Sequence, residues 1–128
     1  MNLLLDTHIW IWSKLEPKRL SPRATAELSN SENELWLSPV SMWEALTLMQ
    51  KGRIRVADPF EWVERAAEQL REAPLTNEIV RVGSAMPLPH ADPADRFLAA
   101  TAKVLKLTLV TADQRLLGLG EIASLANR

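Results

Sequence analysis

The sequence predicts an α/β domain built on a mainly parallel β-sheet. Short apolar runs, which are typical of buried strands, alternate along the chain with longer segments that carry helix-start and helix-stop signals. Prolines stand at three of the predicted helix starts, where their missing N–H group costs nothing. This alternation is typical of strands joined by helical crossovers, which is why a parallel sheet is expected.

Three apolar runs are the clear strand candidates, at residues 2–5 (NLLL), 35–38 (LWLS) and 107–110 (LTLV). Polar or turn residues bound each run, as expected for strands that are buried on both faces of a sheet. Leu75 with its neighbours and residues 122–125 are weaker candidates. Five strands are therefore available to the predicted sheet.

Helical segments are predicted between these strands. Pro22, Pro59 and Pro93 mark helix starts, and Gly52 is predicted to end a helix. The connection at residues 86–93 (MPLPHADP) is predicted to be extended, because a residue that precedes a proline avoids the helical region. The predicted helices cover residues 7–15, 22–30, 41–51, 59–72, 77–85 and 93–106.

Length and composition restrict the class of protein. A chain of 128 residues with 47% hydrophobic residues fits one domain, spanning residues 1–128, with a substantial core. A formal net charge of -1 gives no global attraction to nucleic acid or to anionic membranes, so a polyanionic partner would need a local basic patch. No apolar stretch approaches the length of a membrane helix, and the N-terminus does not have the pattern of a signal peptide. We therefore expect a cytoplasmic protein without membrane contact.

The absence of cysteine excludes disulfides, thiolate zinc sites and cysteine nucleophiles. The two histidines are too few for a histidine-rich metal site. A metal site built mainly from thiolates or imidazoles is therefore not expected.

Acidic residues occur where apolar runs give way to helical patterns, at Asp6, Glu44, Asp95 and Asp113. In a parallel sheet these positions meet at one edge, where open α/β folds form their ligand sites. Carboxylates gathered in this way repel each other by about 3 kcal/mol per pair at ~5 Å and an effective dielectric of ~20. A hard divalent cation, Mg²⁺ or Mn²⁺, is the natural counter-charge. We predict that these four acids are metal ligands and catalytic residues.

The alternative interpretation is that the acids only cap helices. Ser41 and Glu44 match the S-x-x-E capping box, Asp92 is placed to cap the helix that contains Asp95, and Asp113 stands at a helix start. Asp6 fits this alternative less well, because it ends a strand that is expected to be central and partly buried. The repeated choice of an acid at these positions, where Ser, Thr or Asn would serve equally as a cap, favours a shared site.

A cluster of this kind suits hydrolysis of phosphodiesters. A metal ion positions the phosphate, neutralises its charge and activates a water molecule, so no side-chain nucleophile is required. Thr111 stands two residues before Asp113. It is a candidate to hydrogen-bond a metal-bound water, and helix capping is its alternative role.

Four segments of the chain, in order, resemble a known family. MNLLLDTHIWIW, SPVSMWEALTLMQKGRI, LPHADPADRFLAATAKVLK and LTLVTAD look like the PIN-domain ribonucleases of the VapC toxin type, in the branch with a DTH start and an HxDPxDR motif. The resemblance covers essentially the whole chain. It implies a single three-layer domain with a five-stranded sheet in the order 3-2-1-4-5.

The resemblance also implies a function and a set of site residues. It implies endonucleolytic cleavage of RNA, such as transfer or ribosomal RNA, with Mg²⁺ or Mn²⁺, an antitoxin partner and a homodimer. Motif by motif, the metal acids would be Asp6, Glu44, Asp95 and the more variable Asp113. Asp92 would shape the loop or assist.

Several further residues are candidates with two interpretations each. His8 is either a substrate contact or a structural residue of the first helical turn, and Arg96 is expected to pair with a neighbouring carboxylate or to touch RNA. The basic clusters at residues 14–23 and 51–55 would meet phosphates or remain solvated. The tryptophans would stack on bases or, as we prefer, pack in the core or between subunits. The five are Trp10, Trp12, Trp36, Trp43 and Trp62.

Two competing functions differ from a metal-dependent endoribonuclease. A phosphoryl-transfer domain would need a D-x-D pair or paired acids near the first strand, and His8 occupies the second of those positions. A non-catalytic module that binds RNA or protein would keep the acids only as caps. A metal-dependent gain in thermal stability would distinguish a true site from caps.

Overall fold

The computed structural model describes residues 1–88 and 92–128. Its elements follow in chain order with helices between the strands. They are β1 (Asn2–Leu5), α1 (Thr7–Leu15), α2 (Pro22–Ser29), β2 (Glu34–Leu37), α3 (Pro39–Gln50), α4 (Pro59–Ala66), β3 (Arg71–Glu72), α5 (Asn77–Ala85), α6 (Pro93–Leu105), β4 (Thr108–Thr111), α7 (Gln114–Leu117) and β5 (Ser124–Ala126), with a 3-10 turn at Pro17–Arg19.

The strands form one five-stranded sheet in the order β3-β2-β1-β4-β5, and every pairing is parallel. Strand β1 is central, with Leu4 opposite Trp36 of β2 on one side and Leu109 of β4 on the other. The predicted fold class and strand order are confirmed. The carboxyl ends of β1, β2 and β4 therefore lie side by side, which places the residues that follow them at one edge.

The core lies on both faces of the sheet, which gives three layers. Leu3 and Leu5 of β1 pack against α1, α2, α3 and α4, whereas Leu4 faces α5, α6 and α7. The alternation follows from the strand geometry, in which successive side chains point to opposite faces. Since all three leucines are at most 2% exposed, β1 is buried on both faces as its apolar sequence predicts.

The helix α3 begins earlier than predicted, and the predicted capping box is wrong. Pro39 occupies the first turn and the Ser38 hydroxyl accepts a hydrogen bond from the Val40 N–H group, so Ser38 is the N-cap. Ser41 is buried inside the helix. A serine followed by proline supplies both a cap and a fixed φ, which outweighs the S-x-x-E pattern three residues later.

Gly52 terminates helix α3, as predicted. It has a φ of 74° and follows the C-cap Lys51. The Gly52 N–H group donates to the Met49 carbonyl, and the Arg53 N–H group donates to the Leu48 carbonyl. This is the Schellman arrangement, in which glycine takes the left-handed conformation without steric cost.

The segment after Pro59 differs most from its prediction. Helix α4 ends at Ala66 and the chain then forms β3, which pairs with β2 through Trp36 opposite Arg71. Leu75 lies after the strand, so the weak strand candidate there was misplaced. Backbone pairing with the open edge of β2, extended by the Ala73 N–H bond to the Leu37 carbonyl, outweighs the helix propensity of residues 67–72.

Smaller boundary differences affect the remaining elements. The strands predicted at 35–38, 107–110 and 122–125 lie one or two residues away from the observed β2, β4 and β5. The helices at residues 7–15 and 77–85 match their predicted limits. The predicted extended connection at residues 86–93 includes residues 89–91, which lie outside the described part of the chain.

No helix in the described part of the chain combines the length and apolarity that crossing a membrane requires.

Arg96 of α6 binds the end of α5 and the residues directly after it. Its guanidinium donates to the carbonyls of Gly83 at 3.3 Å, Met86 at 2.9 Å and Leu88 at 2.5 Å. Within the described residues, the guanidinium contacts these carbonyls in place of the expected carboxylate, and the alternative contact with RNA stays a prediction. Arg96 ties the end of α5 to the start of α6.

We expect Arg96→Ala to destabilise the protein by about 2–3 kcal/mol, because hydrogen bonds that involve a charged group contribute about 1.5–3 kcal/mol each in favourable cases. Urea unfolding followed by circular dichroism measures this change. Arg81→Ala, a substitution of an exposed arginine on α5, is the control and should stay within about 0.5 kcal/mol of the parent protein. Equal stability of the two variants would contradict the role assigned to Arg96.

Candidate active site

The edge formed by the carboxyl ends of β1, β2 and β4 contains a cavity of about 520 Å³. We call it the acidic cavity. All four predicted acids reach it, together with Asp92 and His8. Its lining residues are Asp6, His8, Ile9, Trp12, Arg19, Glu44, Asp92, Asp95, Ala112, Asp113 and Arg115.

Asp6 follows β1 directly and caps α1. Its Oδ1 accepts a hydrogen bond from the Thr7 N–H group at 2.7 Å, and its Oδ2 accepts one from the Thr111 hydroxyl at 2.6 Å. Thr111 in turn accepts a hydrogen bond from the Asp113 N–H group at 3.0 Å. Since the hydroxyl has one proton, that proton points to Asp6. Thr111 therefore fixes the Asp6 carboxylate from the neighbouring strand β4.

Glu44 lies in the second turn of α3, where a threonine hydroxyl holds its carboxylate. The Thr7 hydroxyl donates to Glu44 Oε1 at 2.5 Å and is hydrogen-bonded to Ser41 Oγ at 2.9 Å. Thr7 and Ser41 are both buried. A polar pair inside the α1–α3 contact thus positions Glu44 at the cavity wall.

Asp92 and Asp95 enter the acidic cavity from the start of α6. Asp92 is the N-cap of this helix, and its Oδ1 accepts a hydrogen bond from the Asp95 N–H group at 3.0 Å. The predicted capping role of Asp92 is confirmed. Asp95 lies in the first helical turn with its side chain only 16% exposed. The cap therefore fixes the backbone from which Asp95 projects.

Asp113 is held by a cation. It caps the short helix α7, and its Oδ2 lies 2.9 Å from Arg115 Nη2. The same Arg115 nitrogen lies 3.7 Å from Asp95 Oδ2. Arg115 therefore brings positive charge between two of the four acids.

Burial and mutual repulsion shape the ionisation of this cluster. Desolvation raises the pKa of Asp6 and of Glu44 above their ordinary values, although hydrogen bonds from Thr111 and Thr7 oppose the shift. Desolvation, followed by the charges of Asp92 and Asp6, raises the pKa of Asp95 to about 7. The Arg115 hydrogen bond instead lowers the pKa of Asp113. The ionised forms of Asp6, Glu44 and Asp95 are therefore destabilised relative to ordinary carboxylates in water.

Sequence reasoning named part of this lining and missed Arg115. Arg19 lies over the ring of Trp12 at 4.3 Å from its centroid, and the His8 and Trp12 ring centroids are 5.7 Å apart. These three residues form one wall of the cavity. His8 was a candidate, Trp12 was one of the five tryptophans considered, and Arg19 lies in the basic cluster at residues 14–23. No spacing signal relates Trp12 or Arg19 to the acids. Among the described residues, none of residues 51–55 lines the cavity.

The tryptophans have different environments. Trp10 is fully buried, donates to the Ala66 carbonyl at 2.9 Å and packs on Trp62, as the core interpretation predicts. Trp36 is half-buried on β2 beneath Arg71. Trp43 is 64% exposed, so it does not pack in the core of the single chain, and its packing between subunits stays a prediction. Trp43 lies on α3 directly before Glu44, in a cavity wall that it shares with Pro93 and Ala94 at the start of α6.

The ligand chemistry fits a hard divalent cation. The acidic groups offer only carboxylate oxygens, which Mg²⁺ and Mn²⁺ prefer. Desolvation and the neighbouring carboxylates raise the pKa of Glu44 and of Asp95, and a bound cation would offset both effects. As the side chains stand in the described part of the chain, no three of them are arranged to hold an ion together. Asp6, Glu44 and Asp95 would be the residues to hold it, with Asp113 released from Arg115.

Comparison with known proteins adds sequence and structural relatives. The PIN domain family model matches residues 3–122. Ribonuclease VapC22 of Mycobacterium tuberculosis is 35% identical over 117 residues, which covers 90% of this chain and 89% of that protein. A toxin-antitoxin complex from Klebsiella pneumoniae contains a similar chain with a TM-score of 0.71 and 16% identity, covering 98% of both chains.

A DNA-bound VapBC complex from Salmonella typhimurium matches with a TM-score of 0.70 and 16% identity, again over 98% of both chains. These two structures share the fold at low sequence identity. The family match spans nearly the whole chain and includes the segments that contain all four acids of the cavity. The chain therefore belongs to the PIN domain family.

Proposed function

We propose that this protein is a metal-dependent endoribonuclease that hydrolyses RNA phosphodiester bonds at the acidic cavity. The observation that carries the proposal is the meeting of Asp6, Glu44, Asp95 and Asp113 in one cavity from four separate segments of the chain. The similarity to Ribonuclease VapC22 supports RNA as the substrate. Transfer or ribosomal RNA remains the expected substrate class.

Bound Mg²⁺ or Mn²⁺ would neutralise charge on the scissile phosphate and lower the pKa of an attacking water. The protein residues supply orientation. Thr111 and the Thr7 N–H group hold both oxygens of Asp6, and the Thr7 hydroxyl holds one oxygen of Glu44. These bonds favour the ionised form of both carboxylates, against the desolvation that raises their pKa, and they fix the orientation of the carboxylates, which lowers the cost of reorganisation during the reaction.

We propose further that the protein is the toxin of a type II toxin-antitoxin pair, that it forms a homodimer and that it acts in the cytoplasm. The family membership and the similarity to chains in toxin-antitoxin complexes support the antitoxin partner. A nuclease of this kind would need such restraint in its own cell. The expected homodimer follows from the same family.

A second candidate function is a non-catalytic module that binds RNA or protein. The specific observation in its favour is that Asp6, Asp92 and Asp113 each cap a helix through a backbone hydrogen bond. Capping alone explains these three positions. It does not explain Glu44, which lies inside α3 and is held by a side chain of another helix. The metal experiment below separates the two candidates.

Replacement of Asp6 or Asp95 with Asn should abolish RNA cleavage in the presence of Mg²⁺ or Mn²⁺, because each substitution removes a charge that the metal requires. Purified variants are incubated with total RNA, and new 5′ ends are mapped by sequencing. Glu72→Gln, a change of an exposed acid on β3, is the matched control and should cleave like the parent. Cleavage by the Asn variants at the parent rate would refute the proposed site.

Metal binding should stabilise the protein and remove its pH sensitivity. Asp95 has an ordinary pKa of 3.8 and a pKa of about 7 in the folded protein, so the folded state binds more protons between these values. The metal-free protein should therefore lose stability as the pH rises from about 4 to about 7, by more than ~1 kcal/mol. Asp95→Asn should flatten this dependence.

Mn²⁺ at a hundredfold excess over its Kd should add about 2.7 kcal/mol to the free energy of unfolding, which should raise the Tm by roughly 5 °C or more. Differential scanning fluorimetry across the pH range measures both effects. If millimolar Mn²⁺ leaves the Tm of the parent protein unchanged, the result would favour the non-catalytic module.

Arg19 should contact a phosphate of the RNA, since it is a cation in the wall of the acidic cavity. Arg19→Gln should weaken RNA binding and reduce the slope of log Kd against log salt by about one. The control is Arg65→Gln, because Arg65 also pairs with a glutamate of its own segment but does not line the cavity. Identical salt slopes for the two variants would contradict the contact.

A further inference from the structure

A second, more apolar cavity of about 280 Å³ adjoins the acidic cavity. We call it the side cavity. Three residues, His8, Glu44 and Asp92, line both cavities. A ligand that extends beyond the acidic cavity in this direction would therefore enter the side cavity directly. The lining residues of the side cavity are His8, Trp43, Glu44, Thr47, Leu48, Asp92, Pro93 and Ala94.

Trp43 provides the large aromatic surface of the side cavity. It immediately precedes Glu44 on α3, and it remains 64% exposed although tryptophan is normally a highly buried residue. The Thr7 hydroxyl holds the carboxylate of the adjacent Glu44. Trp43 therefore lines the side cavity next to an acid whose position is fixed.

The composition of the side cavity matches a nucleobase. Trp43, Leu48, Pro93 and Ala94 supply apolar surface, while Glu44, Asp92 and Thr47 supply hydrogen-bonding atoms at the rim. A base has an apolar face that stacks on aromatic rings and a polar edge that carries donors and acceptors. In RNA each base is attached through a ribose to the backbone phosphates, so a base beside the reacting phosphate must lie next to the acidic cavity.

We propose that the side cavity binds a base of the RNA next to the scissile phosphate and that Trp43 stacks on this base. The inference rests on the proposed function for the identity of the ligand. It assigns Trp43 as a residue that positions the substrate and sets its preference, with no part in the chemical step.

The test measures RNA binding without cleavage. A fluorescein-labelled oligoadenylate is titrated with parent protein, Trp43→Ala, Trp43→Phe and Phe60→Ala in Ca²⁺ buffer, by fluorescence anisotropy. Phe60 is the matched control because it is also 64% exposed and lies outside both cavities. Loss of one base stack should weaken binding by Trp43→Ala roughly 5- to 150-fold. Trp43→Phe and Phe60→Ala should bind within about threefold of the parent.

Salt dependence distinguishes a base contact from a phosphate contact. Trp43→Ala should leave the slope of log Kd against log salt unchanged, because stacking releases no counterions. With an oligonucleotide of abasic sites, parent and Trp43→Ala should bind equally. Equal binding of oligoadenylate by Trp43→Ala and Phe60→Ala would overturn the inference, whether or not the parent protein cleaves RNA.

The oligomeric state supplies the remaining control, by sedimentation velocity on each variant. A shift to a smaller species in Trp43→Ala alone would place the indole in an interface between two copies of the chain and overturn the inference. An unchanged oligomer together with weaker oligoadenylate binding supports it. Absence of RNA cleavage by the parent protein in Mn²⁺ would refute the proposed function, and the binding comparison would still decide the role of Trp43.

Discussion

Mutual repulsion among carboxylates at one edge of the sheet is the constraint on which the site depends. The parallel order places the ends of β1, β2 and β4 together, and burial makes the charges there costly. The protein offsets part of this cost with directed donors, namely the hydroxyls of Thr7 and Thr111, and with the guanidinium of Arg115. The cost that remains is what a cation would relieve.

Most of the sheet could be predicted from the sequence because the clear strands are short apolar runs that can be recognised without the tertiary structure. Strand β1 contains three consecutive leucines after Asn2, and such a run is typical of a strand that is buried on both faces. The short edge strand β3 has the sequence Arg-Glu and no apolar signal. It forms because the edge of β2 offers unpaired backbone groups, which is information about the tertiary fold and not about residues 71 and 72.

The acids of the site were predictable for the same reason, since each follows a recognisable strand or helix start. The residues that orient these acids were harder to predict from the sequence. Thr7 gave no signal in the sequence and Ser41 was predicted to be a cap, yet they meet across the contact between α1 and α3. Arg19 reaches the acidic cavity from the 3-10 turn, and Trp43 is exposed beside it. Such placements depend on how helices pack, which a local pattern does not encode.

Asp6 and Thr7 are adjacent in the chain, yet they reach carboxylate partners on different elements. Asp6 is tied to β4 through Thr111, and Thr7 is tied to α3 through Glu44. A displacement of the first turn of α1 would therefore disturb both carboxylates together. The start of α1 therefore couples the orientations of two of the four acids, so a molecule that moves this helix would change both carboxylates without entering the cavity.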